Sequence, residues 1–222
     1  MRGMAKWNDV ALSREEQHRQ KRRALIAAAG RAFRKQGFHQ TSMDDVASAL
    51  NVTKTALYYY VKNKQELLYE CHNLAFDMGE EAIAEAEAGG GTGRERLEIL
   101  IRAYILRLTD ELGGGGVMSE DNALLPAQLE KIKERRRRWD QVFRGMVQEG
   151  IDDGSLQAHH PKIVEFCLMG AIRNLHRWYS PEGEMKGEEI AREFCAIFFD
   201  GLATPAEAAV PARRSGRRGA AE

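Results

Sequence analysis

"NVTKTALYYYVKNKQEL", residues 51–67, holds three consecutive tyrosines, Tyr58, Tyr59 and Tyr60, with Lys54 before them and Lys62 and Lys64 after. Adjacent side chains on a helix point in different directions, so no single core or solvent face accounts for all three rings. Projected at about 100° per residue, Leu57, Tyr60 and Val61 share one face, while Thr55, Tyr58, Tyr59 and Lys62 share the opposite one, with Thr53 and Lys54 toward its edges. One ring is therefore expected against a protein core and two outside it. "NVT" reads as a tight turn into this short helix. The preceding "TSMDDVASAL" reads as another short helix, with Thr41 and Ser42 as cap residues, Asp44 and Asp45 in its first turn, and Met43, Val46, Ala47 and Leu50 on its buried face. In front of both, Leu25, Ala29, Ala32 and Phe33 form one apolar stripe that ends at Gly37.

Two short helices joined by a brief turn and preceded by a third have the form of a helix-turn-helix, whose second helix enters the DNA major groove. On that reading the hydroxyls of Tyr58 and Tyr59 donate to phosphates, and Thr53, Lys54 and Thr55 start the helix where base edges are met. Thr41 and Ser42 offer hydroxyl and backbone N–H to a phosphate, and Lys64 adds a charged contact. Lys plus Arg and Asp plus Glu balance at 33 each over 222 residues, so the attraction must come from a local surface and not from net charge.

The rest of the chain is also helical. No sustained period-two alternation marks a strand. A long helix starts near Lys64 and stops at "AGGGTG"; further helices are expected over 94–111, about 124–150, 160–179 and 187–202. "GGGG" (113–116), "DDGS" (152–155) and "SPEGEMKG" (180–187) separate them. The fold class is all-α, in four segments: a disordered arm over 1–14, a helix-turn-helix DNA-binding domain over 15–65, a larger helical body over 66–203, which the family resemblance given below implies is a ligand-binding and dimerisation domain, and a disordered tail over 204–222.

The last two long helices are too apolar for one neighbour to cover. Phe194, Ile197 and Phe198 on one, and Phe166 and Ile172 on the other, are the expected homodimer interface. Two recognition helices related by a two-fold then meet successive major grooves of a near-palindromic operator on double-stranded DNA. On the ligand-controlled body that the resemblance given below implies, Tyr104, Phe143, Met146 and Met169 are candidate linings of an effector pocket, joined by the polar Arg173, Asn174 and His176 and by Trp178. The run Arg135 to Arg138 reads either as a solvated face paired with Glu130 and Glu134, or as contacts to an effector's phosphates.

Other chemistry is poorly supplied. The cysteines Cys71, Cys167 and Cys195 read as buried reduced thiols. His159-His160 has no partner at metal-ligand spacing, and the glycine runs lack the setting of a phosphate loop. No enzyme, metal or cofactor is expected. Without a long apolar run or an apolar leader, a soluble cytoplasmic location is.

The stretch "RRALIAAAGRAFRKQGFHQTSMDDVASALNVTKTALYYYVKNKQELL" closely resembles the DNA-binding domain of TetR/AcrR-family transcriptional regulators, through "AAGRAFRKQGF", "TSMDDVA" and "NVTKTALYYYVKNKQEL". It departs at Val61, where the family more often has Phe, and at Thr55-Ala56, where Gly or Ser followed by Thr is commoner. The resemblance implies a homodimeric repressor with a ligand-controlled C-terminal body, and it carries Thr41, Thr53, Lys54, Thr55, Tyr58, Tyr59 and Lys64 over as DNA contacts. Residues 170–202, with Asn174 and "WYSPEG", resemble the same region of members that sense fatty acyl-CoA or related thioesters. Trp178-Tyr179 reads equally as a staple closing the helix end. The effector is thus an acyl-CoA, or else an amphipathic drug or aromatic metabolite. A helical interaction module without DNA binding is the alternative of another class.

Overall fold

In a computed structural model of the chain, which describes residues 13–112 and 121–202, the described residues form helices and no strand. The order is α1 (Arg14–Gln36), α2 (Met43–Ala49), α3 (Lys54–Tyr60), α4 (Lys64–Gly89), α5 (Gly93–Leu112), a 3-10 turn (Asp121–Ala123), α6 (Pro126–Asp152), α7 (Pro161–Arg173), α8 (Leu175–Trp178) and α9 (Gly187–Asp200). The "GGGG" separator and most of the expected arm and tail lie outside the described residues. Ser13 and Arg14, assigned to the arm, instead cap and open α1. The Ser13 hydroxyl accepts from the Glu16 N–H at 3.2 Å, while the Glu16 carboxylate accepts from the Ser13 N–H at 2.7 Å.

The first three helices close around Phe33, Phe38, Val46, Leu57 and Val61, all buried. The turn between α2 and α3 passes through Asn51 at φ 54°, a left-handed conformation that Asn tolerates better than most side chains. α4 leaves this unit and continues into the body, where it packs on α5 and α6; α5 packs on α9, and α6 on α7. Gly79 makes the α4–α6 approach possible, since a Cβ there would sit 2.4 Å from the Trp139 ring nitrogen.

Ion pairs bind the two parts together. Arg23 on α1 reaches Glu81 on α4 and Glu111 on α5, each at 2.6 Å, and Arg34 donates to the Tyr179 carbonyl at 2.9 Å.

The expected helix over 160–179 is broken after Arg173. His176 Nδ1 lies 2.6 Å from the Arg173 carbonyl and must donate to it, and the Arg177 N–H bonds Asn174 instead. A side chain has replaced one rung of the ladder, which ends α7 early. Ile172, expected at a dimer face, is 1% exposed and belongs to the core. Of the three cysteines, Cys71 and Cys195 are buried but Cys167 is exposed, because it lies on the outer face of α7. Among the described residues no helix is long and apolar enough to cross a membrane.

Candidate nucleic-acid interface and effector site

Short helices need their ends satisfied to be held in place, and both of the helix-turn-helix pair have that. Ser42 caps α2, accepting from the Asp45 N–H at 3.1 Å, while Asp45 accepts from the Ser42 N–H at 2.7 Å. Thr53 caps α3, accepting from the Ala56 N–H at 3.2 Å. Leu57, fully buried, anchors α3 from the inner side, with Tyr60 half-buried beside it. On the outer side Tyr58 is 47% and Tyr59 73% exposed, with Thr53, Lys54 and Thr55 also exposed. Lys54 Nζ donates to Asp44 of α2 at 2.7 Å, which ties the two helices and raises the Lys54 pKa.

Two expected phosphate contacts are internal instead. Thr41 is 1% exposed, and its hydroxyl donates to the Gly37 carbonyl at 2.9 Å. Lys64 Nζ donates to the carbonyls of Phe38 at 2.9 Å, His39 at 3.3 Å and Thr41 at 2.9 Å, and lies over the Phe38 ring. Three carbonyls with no helical partner converge on that ammonium and take up its donors within the unit, where α4 starts beneath the α1–α2 loop. Sequence reading also missed His18 on α1. Its ring lies 5.6 Å from the outward Tyr59 and 4.9 Å from the half-buried Tyr60, so one outward ring is braced from a second helix. Only a long-range contact reveals it, and no local pattern in "REEQHRQ" marks it.

In the body, Tyr104, Phe143, Met146 and Met169 are buried. The Tyr104 ring lies 5.3 Å from Trp139, and Trp139 stacks 6.0 Å from Phe143, giving an aromatic wall between α5 and α6. Arg173 reaches this region, but Asn174 and Trp178 are exposed and stand apart from it. Two open grooves of about 610 and 600 Å³ lie elsewhere, one beside Gly91 and Glu98, the other between α7 and α9 beside Ile163 and Phe198. None of the eight expected effector residues lines either groove.

The run of arginines is divided. Arg135 pairs with Asp77 at 2.8 Å and Glu80 at 2.7 Å, and Arg136 with Asp121 at 3.1 Å, while Glu130 takes Lys133 at 2.8 Å. For Arg135 the expected partners Glu130 and Glu134 lose to α4, against which α6 packs, and for Arg136 to the 3-10 turn. Arg137 and Arg138 are exposed.

Three polar residues that the sequence reading passed over, His72, Glu165 and Asp140, lie inside the body. His72 is buried with neither ring nitrogen bonded, and burial lowers its pKa to about 4. Glu165 is buried in the otherwise apolar α7 and accepts from Arg144 at 2.8 Å. Asp140 faces Arg173 across 3.6 Å; burial raises its pKa and the Glu165 charge raises it further. A single acid within "KIVEFCLMG" was the available sign of Glu165, and the four-residue spacing of Asp140 and Arg144 a fainter one.

On the outside of α7 and α9, Ile163 (57%), Phe166 (54%) and Ile197 (50%) are exposed, with Phe194 and Phe198 half-buried.

Comparison with known proteins agrees with this geometry. Residues 25–71 match the model for bacterial regulatory proteins of the tetR family, and residues 90–202 the tetracyclin repressor-like C-terminal domain. The HTH-type transcriptional repressor KstR2 of Rhodococcus jostii is 23% identical over 188 residues, covering 83% of this chain and 92% of that one. The TetR family regulator PfmR of Thermus thermophilus superposes with a TM-score of 0.70 at 25% identity, covering 81% of this chain and 99% of that one. AibR, in complex with isovaleryl coenzyme A and operator DNA, superposes with a TM-score of 0.67 at 24% identity over 81% of this chain and 98% of that one. The protein belongs to the TetR family of bacterial regulators, DNA-binding repressors and not enzymes.

Proposed function

We propose that the protein is a homodimeric repressor released from a near-palindromic operator by a CoA thioester. The observation that carries the DNA-contact assignment is the outer face of α3: Tyr58, Tyr59, Thr55 and Lys54 exposed together on a helix whose inner side is fixed by Leu57. Thr53 and Ser42 complete that surface at the two helix starts. His18 holds Tyr59 in place as a positioning residue. The apolar exposure of Ile163, Phe166 and Ile197 supports pairing of α7 and α9 with a second copy. In such a dimer the two α3 helices are spaced for grooves about 34 Å apart. The boundary between the DNA-binding domain and the body falls near residue 65, at the start of α4.

AibR's complex with isovaleryl coenzyme A supports the thioester assignment, as does the resemblance over 170–202. Because α1 is tied to α4 and α5 through Arg23, an effector that shifts those helices acts directly on the spacing of the reading units. The aromatic wall of Tyr104, Trp139 and Phe143 favours a second reading, an aromatic effector on the same scaffold.

The test is to recover bound genomic fragments, then titrate the complex with acyl-CoAs from isovaleryl to palmitoyl and with flat aromatic compounds. Release by a thioester at micromolar concentration is the expected result. Release by aromatic compounds alone overturns the effector assignment, and recovery of no fragment overturns DNA reading.

A further inference from the structure

Between α6 and α7, Asp140, Arg144, Glu165 and Arg173 meet with their hydrogen bonding incomplete. Glu165 Oε2 accepts from Arg144 at 2.8 Å, but its buried Oε1 has no partner. Asp140 Oδ1 is buried and unpartnered, since the nearest Arg173 nitrogen is 3.6 Å away, beyond hydrogen-bond reach. Arg173 Nε is a buried donor with no acceptor. Buried polar atoms are nearly always paired in folded proteins, so three of them in one cluster call for a missing partner. The cluster reaches the surface, since the Arg144 and Arg173 side chains are 32% and 33% exposed. Its inner end adjoins the aromatic wall, for the Arg173 charge acts on the Tyr104 phenol.

The unpartnered set has a definite chemical complement. Its unpartnered atoms are one donor, Arg173 Nε, and two acceptors, Asp140 Oδ1 and Glu165 Oε1. A lone phosphate or carboxylate would satisfy the arginine but be repelled by the two acids. A group with an acceptor oxygen and a donor N–H side by side satisfies both. We propose that this cluster is the polar anchor of the effector site and takes a secondary amide, whose oxygen accepts from Arg173 Nε and whose N–H donates to Asp140 Oδ1. The inference rests on the thioester reading above and sharpens it, because the pantetheine arm of every CoA thioester carries such amides. The recognised part of the effector is then the arm, not the nucleotide phosphates or the acyl chain alone.

The experiment measures binding of isovaleryl-CoA, S-isovaleryl-pantetheine and free isovalerate by calorimetry, and release from recovered DNA fragments, for wild type, Arg173→Met, Asp140→Leu and the milder Asp140→Asn. Wild type is expected to bind both thioesters and not the acid. Arg173→Met and Asp140→Leu are expected to lose about tenfold or more in thioester affinity. Fragment binding without thioester should be unchanged, and the Asp140→Asn protein should melt no lower than wild type, because the charge of an incompletely hydrogen-bonded buried oxygen has gone. Variants that bind and release like wild type, or binding that follows the free acid, overturn the anchor while leaving the thioester reading intact. An Asp140→Asn protein that melts well below wild type with unchanged affinity marks the cluster as structural, filled by water, and also overturns it. Wild type that neither binds nor responds to any thioester overturns both.

Discussion

The N-terminal three helices and the body differ in how they treat polar groups. In the first unit the caps are closed locally: Ser13 with Glu16, Ser42 with Asp45, Thr53 with Ala56. The Lys64 ammonium there is saturated by three carbonyls. In the body His72, Asp140, Glu165, Arg136 and Arg173 each bury an atom without a partner; Arg34 Nε is the comparable atom on α1. A surface that must match a rigid duplex gains from being preset. A core that must respond to a small molecule gains from polar groups whose best arrangement is not yet made. The difference indicates a rigid reader carried by an adjustable body, linked through α4 and the Arg23 pairs.

The largest effect is expected inside the reader. Leu57→Ala removes its fully buried anchor and should cost about 2–5 kcal/mol in chemical denaturation, with loss of operator binding. A cost well below that range would mean the unit is looser than its caps imply.

The next belongs to the body and to pH. His72 titrates near its ordinary value of 6.5 when unfolded but at about 4 when folded. Between those values the unfolded chain binds the extra proton, so stability is complete above about pH 6.5 and falls as pH drops toward 4, by roughly 3 kcal/mol. His72→Leu should flatten this part of the stability–pH profile. An unchanged slope would show that the ring finds a partner and that the body is better satisfied than described.

Ser42→Ala opens one cap of α2 and should cost about 1 kcal/mol, read from the shift of the thermal midpoint. Smallest in stability is Lys54→Gln. Its exposed pair with Asp44 contributes little to folding, so the melting temperature should stay put. Operator affinity should nevertheless fall, and the salt dependence of binding should become shallower by about one phosphate contact. A variant with unaltered salt dependence would remove Lys54 from the interface.

The same contrast explains what was legible in the sequence. The three-helix reader could be written out from local signals: the cap at Ser42, the turn at Asn51, and the phase that sends Leu57 and Val61 inward and Tyr58 and Tyr59 outward. Where it failed, at Thr41 and Lys64, the deciding partners were backbone carbonyls brought from α1 and its loop. The body follows across-helix contacts that spacing does not encode. Arg135 left its neighbours on α6 for Asp77 and Glu80. His176 broke a helix by taking one carbonyl, and Ile172 turned inward while Phe166 stayed outside. Glu165 and Asp140 were hidden because a single charge in an apolar stretch looks unremarkable until its partners are known.

The most direct test of the account is a fluorescence-anisotropy titration of a recovered operator fragment with wild type and with Tyr58→Ala and Tyr59→Ala, each with and without isovaleryl-CoA. Tight, salt-dependent wild-type binding that the thioester abolishes is expected, with about tenfold or greater weakening in each tyrosine variant and no change in melting temperature. Tyrosine variants that bind the operator as tightly as wild type would contradict it.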